Sequence, residues 1–171
     1  METSRITMIL LMLIQSVRSS ILTITDDQYR NGTISCTTAG SCTIICNADN
    51  NNVGYCASST ILCPNGDDCN VICNKRSCNS IKIIANTSTK LNVTCNQRAC
   101  PSSNILCPPN GQCDLNCHQR RACKDTSITW SLVAENNGLI CDGELACAFI
   151  EFPTPPADGA YNVVCTCISS V

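Results

Sequence analysis

The side chains able to do chemistry in this chain recur in step. Arginines stand at Arg76, Arg98 and Arg120 or Arg121, each inside a polar segment: Asn74-Lys-Arg76, Asn96-Gln-Arg98 and His118-Gln-Arg-Arg121. Stacked on one edge of a repeating structure they would make a basic ridge. Guanidinium forks bind sulfate or carboxylate groups through paired hydrogen bonds, so the ligand such a ridge suits is an acidic glycan. The competing explanation is three solvated turns that repeat only because the structure repeats. Asp142 and Glu144 replace the basic pattern one repeat later and end the ridge. Asp114 and Asp142 are the nearest thing to a carboxylate pair for polysaccharide cleavage, but the connecting segments are too short to wall a cleft. His118, the single histidine, has no serine or reactive cysteine to activate. No catalytic residue is therefore expected; a polysaccharide lyase or hydrolase is the enzymatic alternative.

What must position the arginines is a cysteine lattice. Cys46, Cys73, Cys95, Cys117, Cys141 and Cys165 follow at intervals of 27, 22, 22, 24 and 24 residues, and Cys56, Cys78, Cys100, Cys123 and Cys147 at 22, 22, 23 and 24. Such a fixed period marks a solenoid in which each repeat is one coil. Before each first-series cysteine the chain alternates: Cys42-x-Ile44-x-Cys46, Cys69-x-Val71-x-Cys73, Leu91-x-Val93-x-Cys95, Cys113-x-Leu115-x-Cys117, Asn137-x-Leu139-x-Cys141 and Tyr161-x-Val163-x-Cys165. Period-2 alternation predicts a half-buried strand with these side chains inward. Five residues after each second-series cysteine comes Ile61, Ile83, Ile105, Ile128 or Phe152, which predicts a second strand per coil. Like stacks on like only if the strands are parallel and in register. The expected fold is thus all-β, a right-handed parallel β-helix of about six coils and roughly 30 Å in length.

The chain's 18 cysteines in 171 residues exceed the usual share of a disulfide scaffold. Residues 1–19 have the form of a secretory signal peptide, with Arg5, the apolar run 6–14 and a small-residue site at 17–19. A secreted, oxidising location follows, with no membrane span after cleavage. Residues 20–33 are expected as an N-terminal segment or cap and 34–171 as the repeats. Asn31, Asn86 and Asn92 open glycosylation sequons. A net charge of −2 offers no case for nucleic acid. With one histidine and cysteines spaced by coil geometry, neither a metal nor a cofactor is expected.

Three cysteine couples, Cys36/Cys42, Cys63/Cys69 and Cys107/Cys113, are present or absent jointly from coil to coil. Joint loss predicts direct bonding. For the other series two schemes compete. Pairing within coils gives Cys46–Cys56, Cys73–Cys78, Cys95–Cys100, Cys117–Cys123 and Cys141–Cys147, and is preferred; it leaves Cys165 and Cys167 over. Pairing between adjacent coils, from Cys56–Cys73 to Cys147–Cys165, strands Cys46 and Cys167.

Outward positions carry a second regularity. Leu62, Ile84 and Leu106 form one apolar column; Ile45, Ile72, Ile140 and Val164 form another, interrupted by Thr94 and Asn116. An exposed apolar stripe implies a cover: residues 21–25, a second copy, or a partner. A flatter coil that keeps these residues interior is the alternative. The column Thr43, Asn70, Asn92, Asp114, Gly138 and Asn162 lacks the threonine array of ice-binding solenoids.

The phrases Ile61-Leu-Cys-Pro64 and Ile105-Leu-Cys-Pro108, with Cys73-Asn-Lys-Arg-Ser-Cys78 and Cys95-Asn-Gln-Arg-Ala-Cys100, resemble a cysteine-rich β-helix repeat of secreted or surface proteins. The resemblance covers about residues 34–167 and fades after Cys123. It implies a fold, with no activity and no site residues to carry across. The expected role is a non-enzymatic adhesion or recognition module for an acidic glycan or an extracellular protein. A structural or defensive protein selected for protease resistance is the second expectation. A polysaccharide-cleaving enzyme is the third, and self-association through the uncapped C-terminal coil or the apolar stripe is a separate expectation about partners.

Overall fold

The computed structural model describes residues 19–25, 29–36, 40–48, 54–131, 137–151 and 161–166. The predicted signal peptide, Phe152 and Cys167 lie outside them. The long strands are β1 (Ser20–Ile24), β3 (Cys42–Cys46), β5 (Asp68–Cys73), β7 (Lys90–Cys95), β9 (Gln112–His118), β11 (Asn137–Asp142) and β12 (Tyr161–Thr166). They form one seven-stranded sheet in the order β1-β3-β5-β7-β9-β11-β12. The short strands β2 (Thr33–Ser35), β4 (Thr60–Leu62), β6 (Lys82–Ile84), β8 (Asn104–Leu106) and β10 (Ser127–Thr129) form a second sheet of five. All of these pairings are parallel, and the chain alternates between the two sheets as a β-solenoid of about five turns.

Register follows from the inward columns. In the large sheet Leu22, Ile44, Val71, Val93, Leu115 and Leu139 stack rung on rung. In the small sheet Ile34, Ile61, Ile83, Ile105 and Ile128 do the same, each at most 1% exposed. A one-residue slip would turn every one of these outward, so the aliphatic columns hold the register. Burial of each contributes about 1.5–3 kcal/mol relative to an exposed side chain.

The eight cystines are Cys36–Cys42, Cys46–Cys56, Cys63–Cys69, Cys73–Cys78, Cys95–Cys100, Cys107–Cys113, Cys117–Cys123 and Cys141–Cys147, the within-coil set. Each closes a loop of 5 to 10 residues, and the 36–42 type staples the corner where the small sheet feeds the large one. Cys165 pairs in register with Cys141 at the end of the large sheet.

One segment departs from expectation. Residues 20–33 do not simply cap the stack but begin it: β1 pairs with β3 in register, Ile24 beside Cys46, and β2 follows. The cysteine lattice is blind to this coil because Ile24 stands where later coils carry cysteine. Nor does 21–25 cover the apolar stripe, since Ile21 (71% exposed) and Thr23 face outward at the sheet's edge.

Candidate functional site

A third side closes each coil, between the end of a long strand and the start of the next short one. Its backbone is neither strand nor helix. Every second residue has a positive φ: Arg76 (61°), Cys78 (58°) and Ser80 (54°) in one coil, Arg98 (57°), Cys100 (55°) and Ser102 (53°) in the next. Arg121, Cys123 and Asp125 repeat the pattern, as do Leu145, Cys147 and Phe149. Left-handed backbone is unfavourable for residues other than glycine. Two features hold it: the cystine through the middle of each turn, and a ladder of peptide bonds between coils. Arg76 N–H donates to Gln97 C=O at 3.0 Å, Arg98 N–H to Arg120 C=O at 3.0 Å and Arg121 N–H to Glu144 C=O at 2.9 Å. The cysteines donate the opposite way, Cys78 to Tyr55, Cys100 to Ser77, Cys123 to Ala99 and Cys147 to Ala122.

This ladder decides which arginine belongs to the ridge. Arg76 N–H reaches the carbonyl just before Arg98, and Arg98 N–H the carbonyl of Arg120, just before Arg121, so Arg121 stands in register with Arg76 and Arg98. The three are one rung apart each, about 4.8 Å. Arg76 and Arg98 are half-buried and Arg121 is exposed. None of the ion pairs found among the described residues involves any of the three. Arg120 belongs to the neighbouring column with Lys75, and its Nε lies 3.3 Å from Glu144 Oε2. Lys124 completes the group. Six cations (Lys75, Arg76, Arg98, Arg120, Arg121, Lys124) share this side over three coils with one acid, Asp125, which lies 3.3 Å from Lys124 Nζ, and Glu144 of the next coil faces Arg120.

At the corner beside it the polar residues lock onto one another. Asn74 Nδ2 donates to Asn47 Oδ1 at 2.6 Å and Asn96 Nδ2 to Asn74 Oδ1 at 3.0 Å. His118 Nδ1 and Asp142 Oδ2, 3.9 Å apart, extend this column. Behind it, buried hydroxyls take up carbonyls of the preceding coil: Ser77 Oγ donates to Cys46 C=O at 2.9 Å, and Thr126 Oγ1 to Cys100 C=O at 2.7 Å. Asn47, Asn74, Asn96 and His118 are thus a structural column.

The two aspartates are not brought together. Asp114 is in register with Gly138, and Asp142 lies four residues further along the strand. At about 3.3 Å per residue that is roughly 13 Å, beyond the spacing at which two carboxyls share a glycosidic bond. Asp114 instead sits 3.3 Å from Lys90 Nζ and accepts from Gln112 at 2.9 Å.

The sequons lie on three different surfaces. Asn31 is exposed in a turn with φ of 58°. Asn86 is exposed between the sheets, although Ser88 of its sequon is buried and donates to Pro64 C=O at 2.8 Å. Asn92 faces outward from β7 and accepts from Asn116 Nδ2 at 3.0 Å. The outward apolar columns are present too: Leu62 is 38% exposed, Ile140 39% and Val164 53%, while Ile45, Ile72, Ile84 and Leu106 are half-buried.

Leu145 and Phe149 are the surface residues the sequence reasoning missed. They are 47% and 75% exposed. The available signal was their offset from Cys147: two before it, where Arg76, Arg98 and Arg121 stand before their cysteines, and two after it, where Ser80, Ser102 and Asp125 stand. Compared with known proteins, the chain matches no family model, no curated protein and no solved structure.

Proposed function

We propose that this protein is an exported, glycosylated recognition module whose third side binds an acidic polysaccharide. One observation supports the reading above others: over three successive coils this side carries six cations and one acid, Asp125, with Glu144 at its far end, in a chain whose net charge is −2. The column of Arg76, Arg98 and Arg121 enters no ion pair among the described residues. A linear polyanion laid along the rod axis meets one guanidinium per rung. Eight cystines suit an oxidising compartment. Removal of residues 1–19 and glycans at Asn31, Asn86 and Asn92 belong to the same proposal.

The test is retention on immobilised heparin as salt is raised, for the full chain and for Arg76→Gln/Arg98→Gln/Arg121→Gln. Glutamine keeps most of the aliphatic stem and removes the charge. The triple variant is expected to elute at clearly lower salt with an unchanged circular dichroism spectrum and disulfide map. Equal elution of the two proteins would sink the reading. The intact mass of protein exported from cultured cells, before and after enzymatic deglycosylation, tests leader removal and the sequons.

A further inference from the structure

The last described coil breaks the chemistry of the third side at two positions. Where the earlier coils place Arg76, Arg98 and Arg121 it places Leu145; where they place Ser80, Ser102 and Asp125 it places Phe149. Both keep the left-handed backbone, with φ of 57° and 59°. That conformation is a poor one for a bulky side chain, and in the earlier coils Phe149's position is filled by the small polar residues Ser80, Ser102 and Asp125, while arginines fill that of Leu145. Phe149 gains little from the fold in return. It is 75% exposed, and its ring contact is the Lys124 ammonium, 5.9 Å from the centroid. A strained backbone carrying an exposed ring is the kind of outlier from which a functional role can be argued.

The surroundings specify the partner's chemistry. Leu145 continues the arginine column one rung beyond Arg121, and Phe149 lies beside Lys124. A ligand that satisfies both features must carry anionic groups and an apolar face within one narrow molecule. Acidic sugars do: carboxylate or sulfate groups project from the ring edge, while the axial C–H bonds of one face pack against an aromatic ring. Arg76, Arg98, Arg121 and Leu145 form a line along the rod axis, and Phe149 stands beside its end, in the parallel column of Ser80, Ser102 and Asp125.

We propose that Phe149, flanked by Leu145, is a stacking subsite for one sugar ring at the end of the basic ridge. Arg121 and Lys124 take the acidic groups beside that ring, and Arg98 and Arg76 continue the track over about 14 Å. This rests on the acidic-polysaccharide reading and adds to it a fixed end and a non-ionic contact.

The experiment titrates a sulfated hexasaccharide into the full chain by calorimetry at two salt concentrations. The variants are Phe149→Ala, Phe149→Gly, Phe149→Tyr and the triple arginine-to-glutamine protein; sedimentation with phosphatidylserine vesicles runs in parallel. Phe149→Ala is expected to weaken hexasaccharide binding roughly 3- to 10-fold with an unchanged salt dependence. Phe149→Gly should lose as much while raising Tm, because glycine relieves the backbone. Phe149→Tyr should retain wild-type affinity. If the ridge variant is impaired while Phe149→Ala and Phe149→Gly bind as wild type does, the subsite is overturned and the ridge stands. If the ridge variant also binds normally, both fall. Vesicle binding that needs Phe149, without hexasaccharide binding, would make this a lipid-facing surface and overturn the proposal.

Discussion

The sulfur atoms of Cys46 and Cys78 lie within 4.8 Å of each other although each is bonded elsewhere, to Cys56 and to Cys73. Cys73 and Cys100 stand in the same relation one rung on. The cystines Cys46–Cys56, Cys73–Cys78 and Cys95–Cys100 therefore form a continuous sulfur column, and one thiolate in it has a disulfide within reach. Cys56→Ser should expose this. The freed Cys46 thiolate attacks Cys78, forming Cys46–Cys78 and releasing Cys73, which can in turn displace Cys95 from Cys100. The number of thiols is unchanged; only their place moves. Peptide mapping after alkylation at low pH is expected to find Cys46–Cys78. Recovery of alkylated Cys46 as the sole new thiol would contradict it.

Gly54 allows one coil to approach the next. A Cβ there would lie 1.9 Å from the carbonyl oxygen of Arg76, whereas at Gly66, with φ of 73°, it would meet nothing within 4 Å. The two glycines should respond differently to alanine. Gly54→Ala forces the coils apart and is expected to cost about 2 kcal/mol or more, with loss of exported yield. Gly66→Ala meets only backbone strain, about 1 kcal/mol. Denaturant midpoints under oxidising conditions would rank them; an equal effect would show that packing against Arg76 is not what requires Gly54.

How far the sequence carried the fold depends on where the repeat was marked by cysteine. The inward columns from Ile44 to Leu139 and the small-sheet isoleucines were legible because alternation and period agree. The β1 rung was not, since Ile24 lacks the sulfur that identifies its equivalents. The choice between Arg120 and Arg121 was also closed to it. Cys117 and Cys123 enclose one residue more than Cys95 and Cys100, and spacing alone cannot say where the extra residue goes. In the structure Gln119, with φ of 68°, absorbs it just after the corner, which leaves Arg121 in register with Arg98. Which turn residues face solvent was hidden for the same reason. Alternating left-handed backbone has no hydropathy signature, so Leu145 and Phe149 looked like ordinary members of an apolar sequence.

The asparagine corner makes a prediction about stability alone. Asn74 both donates to Asn47 and accepts from Asn96, at 2.6 and 3.0 Å. Asn74→Ala removes two bonds and leaves Asn96 without its acceptor, an expected cost of about 1–2 kcal/mol. Asn74→Asp keeps the acceptor but exchanges the donor for a second oxygen facing Asn47 Oδ1, and should cost at least as much. Heparin retention of either variant, once folded, should match wild type. A selective loss of retention would mean that the corner contacts the ligand.

The Arg120–Glu144 pair predicts a gain rather than a loss. Both side chains are nearly half-exposed, at 46% and 42%, so the pair adds little to stability. Its effect is on the field of the ridge: Glu144 holds a carboxylate 3.3 Å from Arg120 at the end where the arginine column stops. Glu144→Gln removes that carboxylate and keeps a hydrogen-bond acceptor of the same shape. Tm should stay within about 1 °C, while hexasaccharide affinity rises about 2-fold at low salt and the gain shrinks as salt screens the exposed charge. Opposite behaviour, weaker binding in Glu144→Gln, would place Glu144 in contact with the ligand as an acceptor for sugar hydroxyls.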